Sequence, residues 1–355
     1  MALNPSGAIS LAGPSAGQSI AIELGQSATA TISLNDTNVR TLAQVPSGVI
    51  VMPTDFYGKS NFTPTQKAIF GYGQTPSTLS ITNLVSSTGV VASDTPGVGT
   101  ARAALGCAGY GADKAIFAYG SIPIIISNLV SNIGVVSTDT PIAGVQKNFA
   151  AGARYGNDKA LFAFGTGGLI SNLVSNTGVV ASDTPIAGTP LSARSGTSYG
   201  GDKAIYAFGQ FPSAPNGFPT ISNLVSNTGV VASDTSFTAT GRNFLTAANY
   251  GNDKAIFGFG RITAPAYTAI TNLVSNTGVI ASDTPGVATA KARYAASNYG
   301  GDKAIFAFGD TRANPGFFTQ NSKNLVSNTG VVAADAPGVG TGRYSLAAAG
   351  YSTTA

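Results

Sequence analysis

Residues 159–165 read Lys159-Ala-Leu-Phe-Ala-Phe-Gly165, and residues 172–184 read Asn172-Leu-Val-Ser-Asn-Thr-Gly-Val-Val-Ala-Ser-Asp-Thr184. The first string, or a close variant, begins at Lys67, Lys114, Lys159, Lys203, Lys254 and Lys303, at intervals of 47, 45, 44, 51 and 49 residues. The second begins at Asn83, Asn128, Asn172, Asn223, Asn272 and Asn324. A basic residue, a small-residue stretch and Tyr-Gly-x-Asp-Lys lead into the next copy. Repeats of this period mark solenoids, propellers or arrays.

Within one unit, Ala-Ile-Phe and Phe-Ala-Phe-Gly place apolar side chains at consecutive positions, which suits a short strand buried on both faces. Asn-Leu-Val-Ser is a further short strand. Ser-Asn-Thr-Gly is a turn, because Asn and Gly accept positive φ cheaply. Val-Val-Ala-Ser-Asp forms another strand, and the stretch from Arg343 to Tyr351, with its equivalents, supplies the remaining one. Tyr-Gly-x-Asp-Lys is a second tight turn. No helical period spans three turns of the unit. Each unit therefore reads as one four-stranded antiparallel sheet, the size of a propeller blade.

The ends of the array indicate closure. The copy at Lys67 lacks the preceding strand and has Asn61-Phe-Thr-Pro-Thr-Gln instead, whereas Arg343 to Tyr351 is a surplus strand after the last copy. The surplus strand is expected to pair into the first sheet. Closure removes the open edges that invite aggregation, while a linear stack needs distinctive polar caps, which neither end shows. The expectation is an all-β fold: a six-bladed β-propeller with four antiparallel strands per blade, its C-terminal strand closing the first blade.

Residues 67–351 resemble kelch repeats in their order of a basic residue, a small-residue strand, a turn, Lys-Ala-Ile-Phe-Ala-Phe-Gly, Asn-Leu-Val, a turn and Val-Val. The kelch glycine doublet is a single Gly here (Gly73, Gly120, Gly165, Gly209, Gly260 and Gly309), and Val stands at the usual Trp position. In such a blade the Tyr-Gly-x-Asp-Lys and Ser-Asn-Thr-Gly turns share one face and are nearly uniform. The opposite face carries connections that vary in length and hold Phe211, Phe218, Tyr267, Phe317 and Phe318. Aromatic rings on loops over a rigid scaffold suit a binding surface; the alternative is that they fold back as anchors of their own blades. The Asp-Lys pairs recur in five of the six units, from Asp113-Lys114 to Asp302-Lys303, and read as turn architecture, the Asp satisfying turn donors and the Lys solvated. Asp94 with Arg102, and Asp335 with Arg343, are expected to pair across a loop.

Composition narrows the chemistry. Only 10% of the 355 residues are charged, the net charge is +4, and there is no His or Trp and a single Cys, Cys107. Without His there is no Ser-His-Asp relay and no imidazole metal site, and the copper ligands of kelch-propeller oxidases are missing. The acids are turn-bound repeats rather than a pair in unlike environments. No enzyme activity, cofactor or metal is therefore expected. With no basic cluster, nucleic acid is not an expected partner. No apolar run approaches the ~18 residues of a membrane span, nor does the start read as a signal peptide. Cys107 reads as a buried apolar filler.

Residues 1–58 lie outside the repeat. Gln18 to Leu24 suits a short helix, and Asn35 or Asp36 can cap another through Leu42. The segment is Gly/Ser-rich and short for a core of its own, so it is expected to fold against a partner or copies of itself. Its ordered set Gly7-x-Ile-Ser-Leu11, Ile32-Ser-Leu-Asn-Asp-Thr-Asn-Val-Arg-Thr-Leu42, Ser47-Gly-Val-Ile50 and Asp55-Phe-Tyr-Gly-Lys59 resembles the N-terminal segment of structural proteins of tailed bacteriophages, of tail-fibre type. The resemblance implies that residues 1–58 attach to other virion proteins, with residues 59–355 as the propeller. It implies a non-enzymatic virion component of tail, neck or outer surface, synthesised in the host cytoplasm, homo-oligomeric on the particle, and contacting a host-surface glycan or protein. A head-decoration protein and a cytosolic kelch-type adaptor are the alternatives.

Overall fold

The computed structural model describes residues 3–43, 45, 47–57, 66–123, 125–214, 217–262, 266–313 and 316–352. The chain divides into two compact units, Met1–Pro64 and Thr65–Ala355. The boundary expected at residues 58 and 59, and the 61–65 segment, lie outside the described residues.

The N-terminal unit has a small core of its own. Leu3, Ile9, Ile20, Val39, Leu42, Ala43 and Phe56 are buried together. Ser19 caps the helix Ile20–Glu23 by accepting the Ile22 amide on its hydroxyl, the usual role of Ser at a helix start. The helix Thr37–Ala43 begins just after Asp36 and contributes Val39 and Leu42. Both helices fall where the sequence places them. Among the described residues this core numbers seven side chains, small for a unit of this length.

The larger unit is nearly all-β and is built from small antiparallel sheets. The Lys-Ala-Ile-Phe strings form central strands: Gln66–Gly71, Lys114–Ala118, Lys159–Ala163, Lys203–Ala207, Lys254–Gly258 and Lys303–Ala307. Each is flanked by an Asn-Leu-Val strand and by a small-residue strand. In the second sheet Gly106–Tyr110 pairs with Lys114–Ala118, which pairs with Ile126–Val130. Ala115, Ile116, Phe117 and Ala118 are all fully buried, because neighbouring sheets cover both faces of the strand. A buried Phe such as Phe117 contributes about 2–3 kcal/mol through the apolar area it removes from water.

Six hydrophobic clusters make up the core, and each straddles two sheets adjacent in sequence or joins the sixth to the first. Phe70 of the first sheet meets Phe308 of the sixth with ring centroids 5.4 Å apart. The expected pairing of the surplus strand is present: Ala347–Ser352 pairs antiparallel with Gln66–Gly71, in the register Lys67↔Tyr351 and Phe70↔Ala348. The small-residue strands Gly106–Tyr110, Ala151–Tyr155, Ser195–Tyr199, Thr246–Tyr250, Ala295–Tyr299 and Ala347–Ser352 contact one another in that order, and the last contacts the first. Glycine and alanine dominate them, which permits the close approach.

The Val-Val-Ala-Ser-Asp strand differs from expectation. It is reduced to single bridges, such as Val130↔Val136, followed in three sheets by two-residue pairings at Thr140–Pro141, Thr184–Pro185 and Thr235–Ser236. The reason is a side chain. Asn128 is fully buried, and its Nδ2 donates to the Ser137 carbonyl at 3.0 Å and to Asp139 Oδ1 at 2.9 Å. The amide takes over a ladder position and holds the fourth segment off the strand beside it. Asn83, Asn172, Asn223, Asn272 and Asn324 do the same.

Candidate functional site

Each sheet carries a buried polar knot, and its partners correct the expected ion pairs. Arg102 faces Asp139 of its own sheet at 4.0 Å, not Asp94. Its Nη2 donates to Asn128 Oδ1 at 2.7 Å and its Nε to the Tyr119 carbonyl at 2.8 Å. Arg343 likewise donates to Asn83 and the Tyr72 carbonyl of the first sheet, while Lys291 takes Asp335 at 2.6 Å. The pairing is shifted by one repeat because the basic residue precedes the sheet it stabilises. Each guanidinium also lies over an aromatic ring of the preceding sheet: Arg102 over Tyr72, Arg242 over Phe208 and Arg343 over Phe308, at 4.2–4.3 Å. One side chain thus satisfies its own sheet and grips its neighbour through a cation–π contact.

Burial dictates the electrostatics. Desolvation pulls Arg242 and Arg343 down to about 10 and the Lys147 ammonium to about 8, against the pull of the facing Asp. Burial by itself raises the Asp94, Asp139, Asp234 and Asp283 carboxyls, but hydrogen bonds from Thr and Asn outweigh it and hold them below their ordinary value. In the turns the Lys side chains stay exposed, as expected, but each also contacts the Asp before it, for example Lys114 with Asp113 at 3.1 Å. They are exposed and contribute little.

Just before each small-residue strand the backbone turns left-handed at Ala104, Phe149, Ala193, Phe244, Arg293 and Ser345, with φ of 51–55°. Five of these residues are joined in a chain of backbone hydrogen bonds. The amide of Phe149 donates to the Ala104 carbonyl, Ala104 to Ser345, Ser345 to Arg293 and Arg293 to Phe244, at 2.7–3.0 Å. They ring the mouth of a cavity of about 130 Å³ that all six sheets line. Cys107 lines this cavity and is half-buried rather than a sealed filler; desolvation still pushes its thiol pKa up.

Left-handed backbone costs a non-glycine residue ~1 kcal/mol or more, and such strain clusters at functional sites. The identities at the six positions, Ala, Phe, Ala, Phe, Arg and Ser, differ from copy to copy, whereas the Lys-Ala-Ile-Phe and Asn-Leu-Val strands nearly repeat. Around the mouth, Phe149 meets Phe244 edge-on at 5.3 Å. The Arg293 guanidinium lies 5.0 Å from the Phe244 ring and 5.3 Å from the Tyr344 ring, and contacts buried Asp310 at 3.6 Å. Beside them runs a groove of about 360 Å³ between Phe149, Phe244, Thr166, Ser192, Gln210 and Pro212.

The predicted loop aromatics divide. Tyr267 donates its hydroxyl to Asp310 Oδ2 at 2.8 Å, as an anchor. Half-buried Phe218 lies under Arg261 at 5.7 Å, and Arg261 in turn lies 5.1 Å from Phe244. Both therefore connect to the mouth. Phe211 and Phe318 are exposed, at 36% and 51%. Phe318 sits on a hairpin, Asp310–Ala313 with Gly316–Thr319, rather than a loop; the Phe317 side chain lies outside the described residues. Phe149, Phe244, Arg293 and Arg261 were not singled out from the sequence. The signal for Phe149, Phe244 and Arg293 is a column of the repeat, two positions ahead of the small-residue strand, whose identity changes from copy to copy, and Arg261 lies in one of the connections of variable length.

Among the described residues, no group of three His, Cys, Asp or Glu is placed to hold a metal ion, and no helix is long and apolar enough to cross a membrane. No protein-family model and no curated protein sequence matches the chain.

Proposed function

We propose that Thr65–Ala355 is a six-bladed kelch-like β-propeller serving as a non-enzymatic recognition module, and that the protein is a structural component of a tailed-bacteriophage virion. Support for the propeller comes from six sheets of three or four strands, six intersheet cores and the circuit of small-residue strands that the pairing of Ala347–Ser352 completes among the described residues. Recognition rests on one observation above the others: the residues at the cavity mouth and the loops beside it differ from copy to copy, while each sheet keeps its Asn-centred knot and its tight turns. The virion setting rests on the resemblance of residues 7–59, with the N-terminal unit as the attachment segment to other virion proteins. On this reading the propeller faces outward and contacts a host-surface glycan or protein.

Antibodies raised against Thr65–Ala355 test the setting. Labelling of intact particles by electron microscopy, lost on deletion of residues 1–58, is the expected result. Soluble protein found apart from particles throughout infection favours the adaptor alternative, and labelling confined to heads favours decoration.

A further inference from the structure

We propose that the groove beside the cavity mouth binds a neutral saccharide, with Phe149 and Phe244 as the stacking platform. The inference deepens the recognition reading and rests on it for the source of the ligand, a host surface. Three observations carry it.

The groove, at about 360 Å³, lies in the range of small-ligand pockets. Its described lining holds aromatic, proline, glycine and alanine faces with Thr166, Ser192 and Gln210 as polar groups, and no ionisable side chain. An acidic ligand finds no counter-charge there: Arg293, at the edge of the mouth, is matched by Asp310, and Arg261 is turned toward Gln210 and Asn243. An apolar face with hydroxyl and amide neighbours matches a sugar ring, which presents C–H groups on one face and hydroxyls at its rim. The Gln210 amide oxygen is held by Arg261 and Asn243. That arrangement fixes the amide plane and leaves its NH2 as a donor for a sugar hydroxyl.

The repeat itself supplies the second line. The position held by Phe149 and Phe244 is Ala in Ala104 and Ala193, at the same left-handed φ. The fold therefore accepts alanine there, and the two rings are not needed to make the turn. Third, the two Phe positions face one another across the mouth, edge-on at 5.3 Å, although they come from sheets that are not sequence neighbours. The repeat places a ring in only these two of its six copies, and they meet.

The test titrates the purified full chain with neutral oligosaccharides of glucose, galactose and mannose and with polygalacturonate as the acidic control. Saturable binding to at least one neutral sugar is expected, with polygalacturonate inert. Phe149→Ala and Phe244→Ala should each weaken binding at least tenfold with an unchanged melting temperature. Pro212→Trp, which keeps both rings and fills the groove, should abolish it. Binding to no neutral sugar, preference for the acidic polymer, or full affinity in the Phe variants overturns the proposal. Particle labelling that succeeds while sugar binding fails removes this inference alone. Sugar binding without particle labelling removes the virion setting and leaves the groove assignment standing.

Discussion

At Lys147 the molecule departs from its own pattern in a way that pH can read. Three of the six knots use Arg at the corresponding position, as Arg102, Arg242 and Arg343. Lys147 is fully buried, 3.8 Å from Asp183. Desolvation lowers its pKa from 10.5 to about 8. Below that value the fold carries a buried ammonium at a cost of up to ~3 kcal/mol relative to the unfolded chain. Between about 8 and 10.5 the unfolded chain still holds a proton that the folded chain has released, so this group makes stability rise with pH. Compared with Lys147→Arg, the wild type should gain about 1 kcal/mol per pH unit between pH 8 and 9.5 by urea titration. Parallel curves for the two proteins would refute the assignment, and the shared Cys107 cancels in the difference.

A second residue-scale case is Ala112. It adopts φ of 67° in the Tyr-Gly-x-Asp-Lys turn, where the equivalent residues are Asn157, Gly201, Asn252 and Gly301, all left-handed. Ala112→Gly should raise stability by ~0.5–1 kcal/mol, as relief of the Cβ clash outweighs the added freedom of the unfolded chain. A lower midpoint in denaturant would contradict this. The sequence marked Tyr-Gly-x-Asp-Lys as a tight turn; the left-handed backbone at x emerges only from the structure.

At the scale of the element, the fourth sheet contains an exchange. Leu191 holds the position that is basic elsewhere and is 1% exposed, while Arg194, three residues on, reaches Asn223 Oδ1 at 2.6 Å and covers the Phe164 ring at 4.2 Å. The detour leaves Arg194 Nε buried without a partner, a loss of ~1–3 kcal/mol. In Arg102, Arg242 and Arg343 this atom donates to a carbonyl. Arg194→Leu alone should cost about 1–3 kcal/mol by leaving the buried Asn223 Oδ1 without its donor, and Leu191→Arg alone should place two cations in one site. The double variant Leu191→Arg/Arg194→Leu should match or exceed the wild type in thermal unfolding. Additive losses would show that the two positions do not share a socket.

The knots also explain how far the sequence could be read at this scale. Strand positions, tight turns and the pairing of the surplus strand follow from apolar runs, turn chemistry and the count of strands, all local signals. The fourth strand was misread because Val-Val-Ala-Ser-Asp has strand composition, and nothing in it reveals that Asn128 occupies the ladder from the side. The Asp–Arg pairs were assigned one repeat off because nearness along the chain favoured Asp94 for Arg102. The fold instead groups each basic residue with the sheet it introduces. Phe149 and Phe244 escaped notice for a similar reason: their importance lies in meeting across the mouth, which no single repeat contains.

For the whole molecule, the decisive contact is the pairing of Ala347–Ser352 with Gln66–Gly71. Arg343 adds its knot to Asn83 and its ring contact to Phe308, so one short segment is bound to two sheets. Truncation after Leu346 removes the six pairings of this strand and uncovers Ile69 and Phe70, which are fully buried. The loss should exceed the ~5–15 kcal/mol that typically separates folded from unfolded chains or leave a partly opened array. Either outcome should abolish the single cooperative transition seen by calorimetry. A truncated chain that melts as sharply and as high as the wild type would show that the sheets stand independently.

The same pairing has a consequence for biosynthesis. A ribosome releases Gln66–Gly71 before the other five central strands and Ala347–Ser352 after them, so the first sheet has a bare edge while sheets two to six are being made. Sheets two to six can assemble as they emerge; the first must await its final strand. The interval offers foreign strands a template, a hazard that ends only when Ala347–Ser352 takes its place beside Gln66–Gly71.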